Sequence, residues 1–255
     1  VASSVEVRAV RKVFTGKDVP VHAFGPLDLA VAGGEFTAIL GPSGCGKSTL
    51  LLMIAGLLGC EEGTIEVGGR RVAGPLTEIG IVFQNHVLVD WRSVLGNVLL
   101  QADLRGIGRA TLEPRARALL RAVGLEPFVD RHPYELSGGM QQRTAFCRAL
   151  VHDPPLVLMD EPLGALDAMT REQLRCDLER LWMANRMTVL FVTHGIEEAV
   201  QLADRVVVIS PRPGRIVREI RIDLPRPRTL EVCESARFHA HVGEIRRVFA
   251  SYGVV

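Results

Sequence analysis

Chemistry is densest at Gly41-Pro42-Ser43-Gly44-Cys45-Gly46-Lys47-Ser48-Thr49, which matches GxxxxGK[ST]. At that spacing the glycines let successive backbone N–H groups point inward at an anion. Lys47 reaches terminal phosphates, and the Ser48 hydroxyl is free to ligate Mg²⁺. A nucleoside triphosphate is the occupant this loop fits. With lysine only at positions 12, 17 and 47, composition alone seldom generates the pattern.

Two further clusters bear on a bound triphosphate. The apolar run Leu156 to Met159 ends in Asp160-Glu161-Pro162, where Asp160 would hold the metal and Glu161 would polarise an attacking water. In 136-LSGGMQQR-143, Ser137 is a good N-cap and Gly138 and Gly139 open a helix, a second place where backbone N–H groups can meet an anion. One nucleotide has a single triphosphate, so a second phosphate reader makes most sense if it addresses nucleotide held by another copy. Cys45 lies inside the phosphate loop, and its position there predicts a thiol open to oxidation or alkylation and protected by nucleotide.

These groups need elements to present them. Strand patterns cover Val5 to Val13, Asp28 to Val31, Phe36 to Leu40 and Thr64 to Val67, with helical spacing from Gly46 to Leu58. The phosphate loop thus falls between a strand and a helix. From 93 to 150 strand signals give way to Arg, Ala and Leu at helical spacing, which reads as an inserted helical subdomain ending in a helix over Met140 to Leu150. Then strands at Leu156–Met159, Thr188–Thr193 and Arg205–Ser210 alternate with helices at Thr170–Ala184 and Ile196–Ala203. Such β-α-β-α-β order implies a parallel sheet covered by helices, with ligands beyond the carboxyl ends of the strands. A Pro/Arg-rich stretch, 224-LPRPR-228, precedes an amphipathic stretch from Phe238 to Phe249.

Composition sets outer limits. The chain has 255 residues with 30 basic and 29 acidic side chains and is 47% hydrophobic, which fits a large globular domain. Near-neutral charge argues against a nucleic-acid partner, which would demand a basic stripe. No apolar run is long enough to cross a bilayer, and the N-terminal residues lack the apolar region of a secretory signal. Five scattered cysteines without CxxC indicate neither a disulfide framework nor a zinc site.

Taken together, GPSGCGKST, LSGGMQQR, LVLMDEP, the Gly164-to-Asp167 segment GALD, Gln84 after 81-IVF-83 and His194 after 191-FVT-193 resemble the full motif set of an ABC transporter ATPase subunit, in family order. Singly, His194 also suits a structural histidine and Gln84 a surface amide. The resemblance implies a P-loop NTPase of the ABC ATPase fold: α/β, with a mainly parallel core sheet, an N-terminal antiparallel β subdomain and an inserted helical subdomain. It divides the chain into a nucleotide-binding core over 1–92 and 151–225, a helical signature subdomain over 93–150 and a helical tail over 226–255. It implies two subunits closing head to tail on two ATPs, with Ser137, Gly138, Gly139 and Gln141 of one copy contacting nucleotide on the phosphate loop of the other. Lys47, Glu161 as general base, His194 as γ-phosphate sensor and Gln84 would act in hydrolysis. Ser48, Gln84 and Asp160 would serve the metal, Asp167 would reach across the dimer, and Phe14 would stack on adenine, offset from Lys47 by a polar turn over Gly16 to Val21.

The segment 87-VLVDWRSVLGNVLL-100 reads equally as core packing or as a groove for a partner's helix. It resembles the LLPWxxVxxNV pattern of importers for nitrate, sulfonates, taurine and related small nutrients, as do GALDAMTR and RPGRI followed by DLPRPR. Asp90 departs from that pattern's proline, and Thr77-Glu78-Ile79 from its Asp-Arg. The resemblance implies a peripheral ATPase at the cytoplasmic face of the inner membrane. Its partners would be two transmembrane permease subunits and, indirectly, a periplasmic or extracellular solute-binding protein. Other readings are an ABC ATPase of a different importer or an exporter, a chromosomal or ribosomal ATPase, and a regulatory subunit without turnover. No long heptad insert or second motif set favours the chromosomal or ribosomal reading, and the intact Glu161 and His194 disfavour the regulatory one.

Overall fold

Strands whose side chains are apolar on both faces are stable only when both faces are covered, and four such runs lie side by side at the centre of this protein. The computed structural model describes residues 2–15, 20–164 and 166–253. β3 (Phe36–Leu40), β7 (Leu156–Asp160), β8 (Thr188–Thr193) and β9 (Arg205–Ile209) form parallel neighbours with β6 (Gly80–Val82), in the order β9-β3-β8-β7-β6. β10 (Ile216–Arg221) joins the β9 edge antiparallel. A second, antiparallel sheet has the order β2 (Pro20–Val31), β1 (Val5–Thr15), β4 (Glu62–Val67) and β5 (Arg70–Arg71).

Register decides where the chemistry falls. Leu40 pairs with Thr193, Asp160 with Val192 and Val82 with Met159. The loops after β3, β6, β7 and β8 therefore leave from one edge, bringing 41–48, Gln84, Glu161 and His194 to a common rim. α1 (Lys47–Ile54) buries Leu50, Met53 and Ile54 between the two sheets. The other face of the core sheet is covered by α5 (Gly138–Leu150), α6 (Ala168–Asn185), α7 (Ile196–Leu202) and α9 (Ala236–Ala250). There Phe36 meets Trp182 edge-on, ring centroids 5.8 Å apart.

α2 (Val94–Val98), α3 (Leu100–Arg105), α4 (Arg109–Ala122) and α5 occupy the stretch expected to be helical, and α8 (Leu230–Cys233) precedes α9. The structure departs from the sequence reading at several boundaries. The strand expected from Asp28 begins at Pro20, and β10 was not expected at all. The helix expected to run to Leu58 ends at Ile54, because Gly56 turns the chain at φ 73°. α5 starts at Gly138, so both glycines lie within the helix. Of the turn expected over Gly16 to Val21, residues 16–19 lie outside the described residues, as does residue 165 of the GALD segment. The segment from Val87 to Leu100 divides: Val87 and Trp91 are exposed, Trp91 by 82%, whereas Val94, Val98 and Leu99 are core. Packing explains its second half only.

Candidate functional site

The phosphate loop is built against a ring. Gly46 has φ 103°, and a Cβ there would lie 2.6 Å from Cζ of the buried Phe24, so the loop closes over β2 only with glycine. Arg212, from the β9–β10 connection, donates from Nε and Nη2 to the Gly44 carbonyl at 3.1 and 2.7 Å. Neither contact was anticipated; Arg212 had a signal only as part of RPGRI, and Phe24 had none. The amides of the loop and of the first turn of α1 sit at a helix N-terminus, which suits phosphate oxygens.

Lys47 is buried, with Nζ donating to the carbonyls of Gly41 and Pro42 at 2.8 and 3.0 Å and lying 3.9 Å from Glu161 Oε1. Ser48 Oγ donates to Asp160 Oδ1 at 2.9 Å. Burial pushes the Asp160 carboxyl above its ordinary value, aided by the neighbouring Glu161 charge and opposed by the Ser48 hydrogen bond. A desolvated carboxylate beside a hydroxyl is a donor pair that a divalent cation would satisfy.

Glu161 adopts φ 43°, in the left-handed region that disfavours side chains other than glycine, a conformation costing on the order of 1–3 kcal/mol. Its N–H donates to Val192 O at 2.9 Å and its carbonyl accepts from Gly164 N at 3.1 Å. The turn aims Oε2 at His194 Nδ1, 3.1 Å away. One carboxylate thus faces both the phosphate-loop lysine and an exposed imidazole.

Cys45 does not behave as its position implied. Its side chain is buried, 1% exposed, and burial pushes the thiol up, offset in part by Lys47. The thiol expected from sequence to be open to oxidation or alkylation is instead a packing residue.

Ser137 caps α5, its Oγ accepting from Met140 N at 3.4 Å. Gly138 is exposed, and Gly139 packs under Thr170 of α6. Gln141 donates its amide to the Pro133 and Leu136 carbonyls, fixing the approach to the cap. Arg143 binds the buried Asp177 at 3.0 Å, tying α5 to α6. Asp167 caps α6 by accepting from Thr170 N at 3.0 Å and is exposed. The contacts of the Ser137–Gln141 segment thus run to its own approach loop and to the Asp167 helix. Gln84 is exposed beyond β6; nearby, Arg148 of α5 donates to the His86 and Val87 carbonyls at 3.0 and 2.7 Å, a brace the sequence reading missed. Phe14 lies on β1, 41% exposed, with Lys12 Nζ 5.3 Å from its ring centroid.

A family model described as ABC transporter matches residues 24–164. The chain is 47% identical over 224 residues to an ABC transporter ATP-binding protein of Methanocaldococcus jannaschii, covering 88% of this chain and 84% of that one. It is 44% identical over 218 residues to a taurine import ATP-binding protein of Jannaschia sp., covering 84% and 81%. It is 41% identical over 226 residues to an aliphatic sulfonates import ATP-binding protein of Bacillus licheniformis, covering 89% and 88%. Among solved structures it resembles a dimeric ATP-binding cassette in a post-hydrolysis state with ADP and phosphate, at TM-score 0.74 and 31% identity, covering 86% of this chain and 98% of that one.

Proposed function

The chain belongs to the ABC transporter family as an ATP-hydrolysing cassette, and from that premise we propose that it powers import of a small anionic nutrient of the sulfonate or taurine class. The observation that carries the mechanism is a division of labour. Lys47, Ser48, Asp160, Glu161 and His194 share one rim, while Ser137 and Gly138 are exposed at an α5 N-terminus braced by the Asp167 helix. Each copy then supplies a phosphate loop to one nucleotide and a helix N-terminus to the other.

In this reading Lys47 turns from the Gly41 and Pro42 carbonyls to the β and γ phosphates. Ser48 and Asp160, with Gln84 from the β6 loop, would hold Mg²⁺, which would supply charge neutralisation at the phosphates. Glu161 orients the attacking water, and His194 contacts the γ-phosphate while fixing the Glu161 carboxylate. Phe14 offers an aromatic face to adenine. The exposed Trp91 and Val87 next to the Gln84 loop form the seat for a transmembrane permease subunit, and a solute-binding protein would deliver the solute. Among the described residues no helix is long and apolar enough to cross a membrane.

Mixing two inactive variants tests the shared chamber. Lys47→Ala and Ser137→Arg should each be inactive alone, whereas a heterodimer has one chamber with both defects and one intact. Random pairing should restore up to about a quarter of wild-type turnover. No recovery at any mixing ratio refutes the composite site. For the solute class, proteoliposomes holding the cassette with its permease should hydrolyse ATP several-fold faster when a sulfonate-loaded binding protein is added. Stimulation by a sugar or peptide instead would overturn the class and leave the ATPase reading standing.

A further inference from the structure

Three elements meet behind His194 without taking part in the chemistry described above. Thr193, the buried last residue of β8, donates from Oγ1 to Glu198 Oε2 at 2.5 Å and accepts from Gly195 N at 2.9 Å. The Glu198 side chain, 12% exposed, turns back from α7 toward the start of its own helix, with Oε1 3.6 Å from Arg171 Nε. Arg171, in the first turn of α6, donates to the Leu163 and Leu166 carbonyls at 3.2 and 2.8 Å. Those carbonyls belong to the segment joining Glu161 to Asp167.

Gly195 makes the arrangement possible. A Cβ there would lie 2.8 Å from Glu198 Cδ and 3.0 Å from Oε2, so any larger residue must displace the carboxylate or the backbone that follows His194. Both ends of the relay also converge on one residue. The Leu163–Leu166 segment is tied to Glu161 through Gly164 N, and His194 reaches the Glu161 carboxylate directly. A charge-assisted network of this kind, half-buried at Arg171 and largely buried at Glu198, resists small displacements of the loops that it joins.

We infer that Arg171 and Glu198, seated over Gly195, are positioning residues that fix the 163–167 segment and the His194 loop relative to each other on either side of Glu161. This deepens the reading of Glu161 and His194 and rests on it. A segment facing a second copy at Asp167 is thereby in fixed register with the imidazole that faces the γ-phosphate.

The test is steady-state ATP hydrolysis by the full chain carrying Glu198→Gln, Arg171→Ala, Gly195→Ala, or Arg171→Ala with Glu198→Gln. A misplaced catalytic pair should lower kcat about tenfold or more in each single variant while KM for ATP stays within about twofold. The double variant should be no slower than the worse single one, because either change breaks the same relay. Arg171→Lys, which keeps a positive charge but not the fork onto two carbonyls, should fall between wild type and Arg171→Ala. Wild-type kcat in both Glu198→Gln and Gly195→Ala overturns the inference. So do losses in kcat that multiply in the double variant, the mark of two independent structural defects. Should a single variant fold poorly, Arg171→Lys carries the test by the same KM and kcat split. Measuring Glu161→Gln in parallel separates the failures: an active Glu161→Gln removes the underlying reading, whereas an inactive one beside a fully active Glu198→Gln removes the relay alone.

Discussion

Glu161→Gln is expected to keep ATP affinity and to lose turnover by about 10²–10⁴-fold, the range associated with removing a general base. Glutamine has the shape of glutamate and its amide can still meet His194, so the 3.1 Å contact and the left-handed turn at φ 43° need not change. What disappears is the negative charge and the ability to take a proton. Loss of that charge relieves Asp160, whose carboxyl is raised partly by its neighbour, and removes repulsion toward incoming phosphates. Binding should therefore not suffer, and the ATP-loaded dimer should accumulate because the step that opens it is blocked. Turnover at saturating ATP and light scattering with and without ATP measure the two consequences. Turnover within a few-fold of wild type, or a monomer in ATP, would exclude Glu161 as the base. Lys47→Ala, whose ammonium sits inside the loop, provides the contrast: it should fail at nucleotide binding itself.

The rim of this site was readable because its motifs are short and each follows a strand. Local sequence carried the loop geometry, and register did the rest. What sequence did not disclose lies where charged residues act as structure. β10, IVREIR, is an edge strand whose Arg and Glu side chains face solvent, so it lacks the apolar alternation that marks a strand. β1 shifts register between Val7 and Val10 and turns through Ala9 at φ 49°, which breaks the period-two pattern across its pairing with β2. Cys45 was misjudged because a position within a binding loop suggests access, whereas the side chain points into the core. Gly195 and Glu198 match no motif, and their relation depends on a side chain that folds back over its own helix start.

The Pro/Arg segment leads to the second strong expectation: Arg228→Ala should destabilise the folded chain by about 3–5 kcal/mol, because several charge-assisted hydrogen bonds to buried carbonyls are lost together. In sequence, LPRPR is a Pro/Arg-rich stretch whose composition assigns its arginines no structural role. In the structure Arg228 is 1% exposed and its Nη1 donates to the carbonyls of Val200, Gln201 and Ala203 at 2.8, 3.2 and 2.6 Å, closing the C-terminus of α7. Its backbone N–H donates to the buried Glu179 of α6, which also pairs with Arg226 at 2.9 Å. Arg226 in turn lies 4.3 Å from the Trp182 ring and binds Asp204 Oδ1, while Asp204 Oδ2 accepts from Phe36 N, so the clamp reaches the start of β3. Burial lowers the Arg228 guanidinium to about 10, which still leaves it charged at neutral pH. Alanine would leave the α7 carbonyls without their donor and Glu179 with less positive charge nearby. For a chain of this size each kcal/mol moves Tm by roughly 2–4 °C, so a drop of roughly 6–20 °C is expected in thermal unfolding. Arg228→Lys, keeping the charge without the planar fork, should lose less. A change in Tm below a few degrees for Arg228→Ala would show that α7 closes without the clamp. The effect should also reach catalysis, because α7 starts two residues after His194, and its far end is what Arg228 holds.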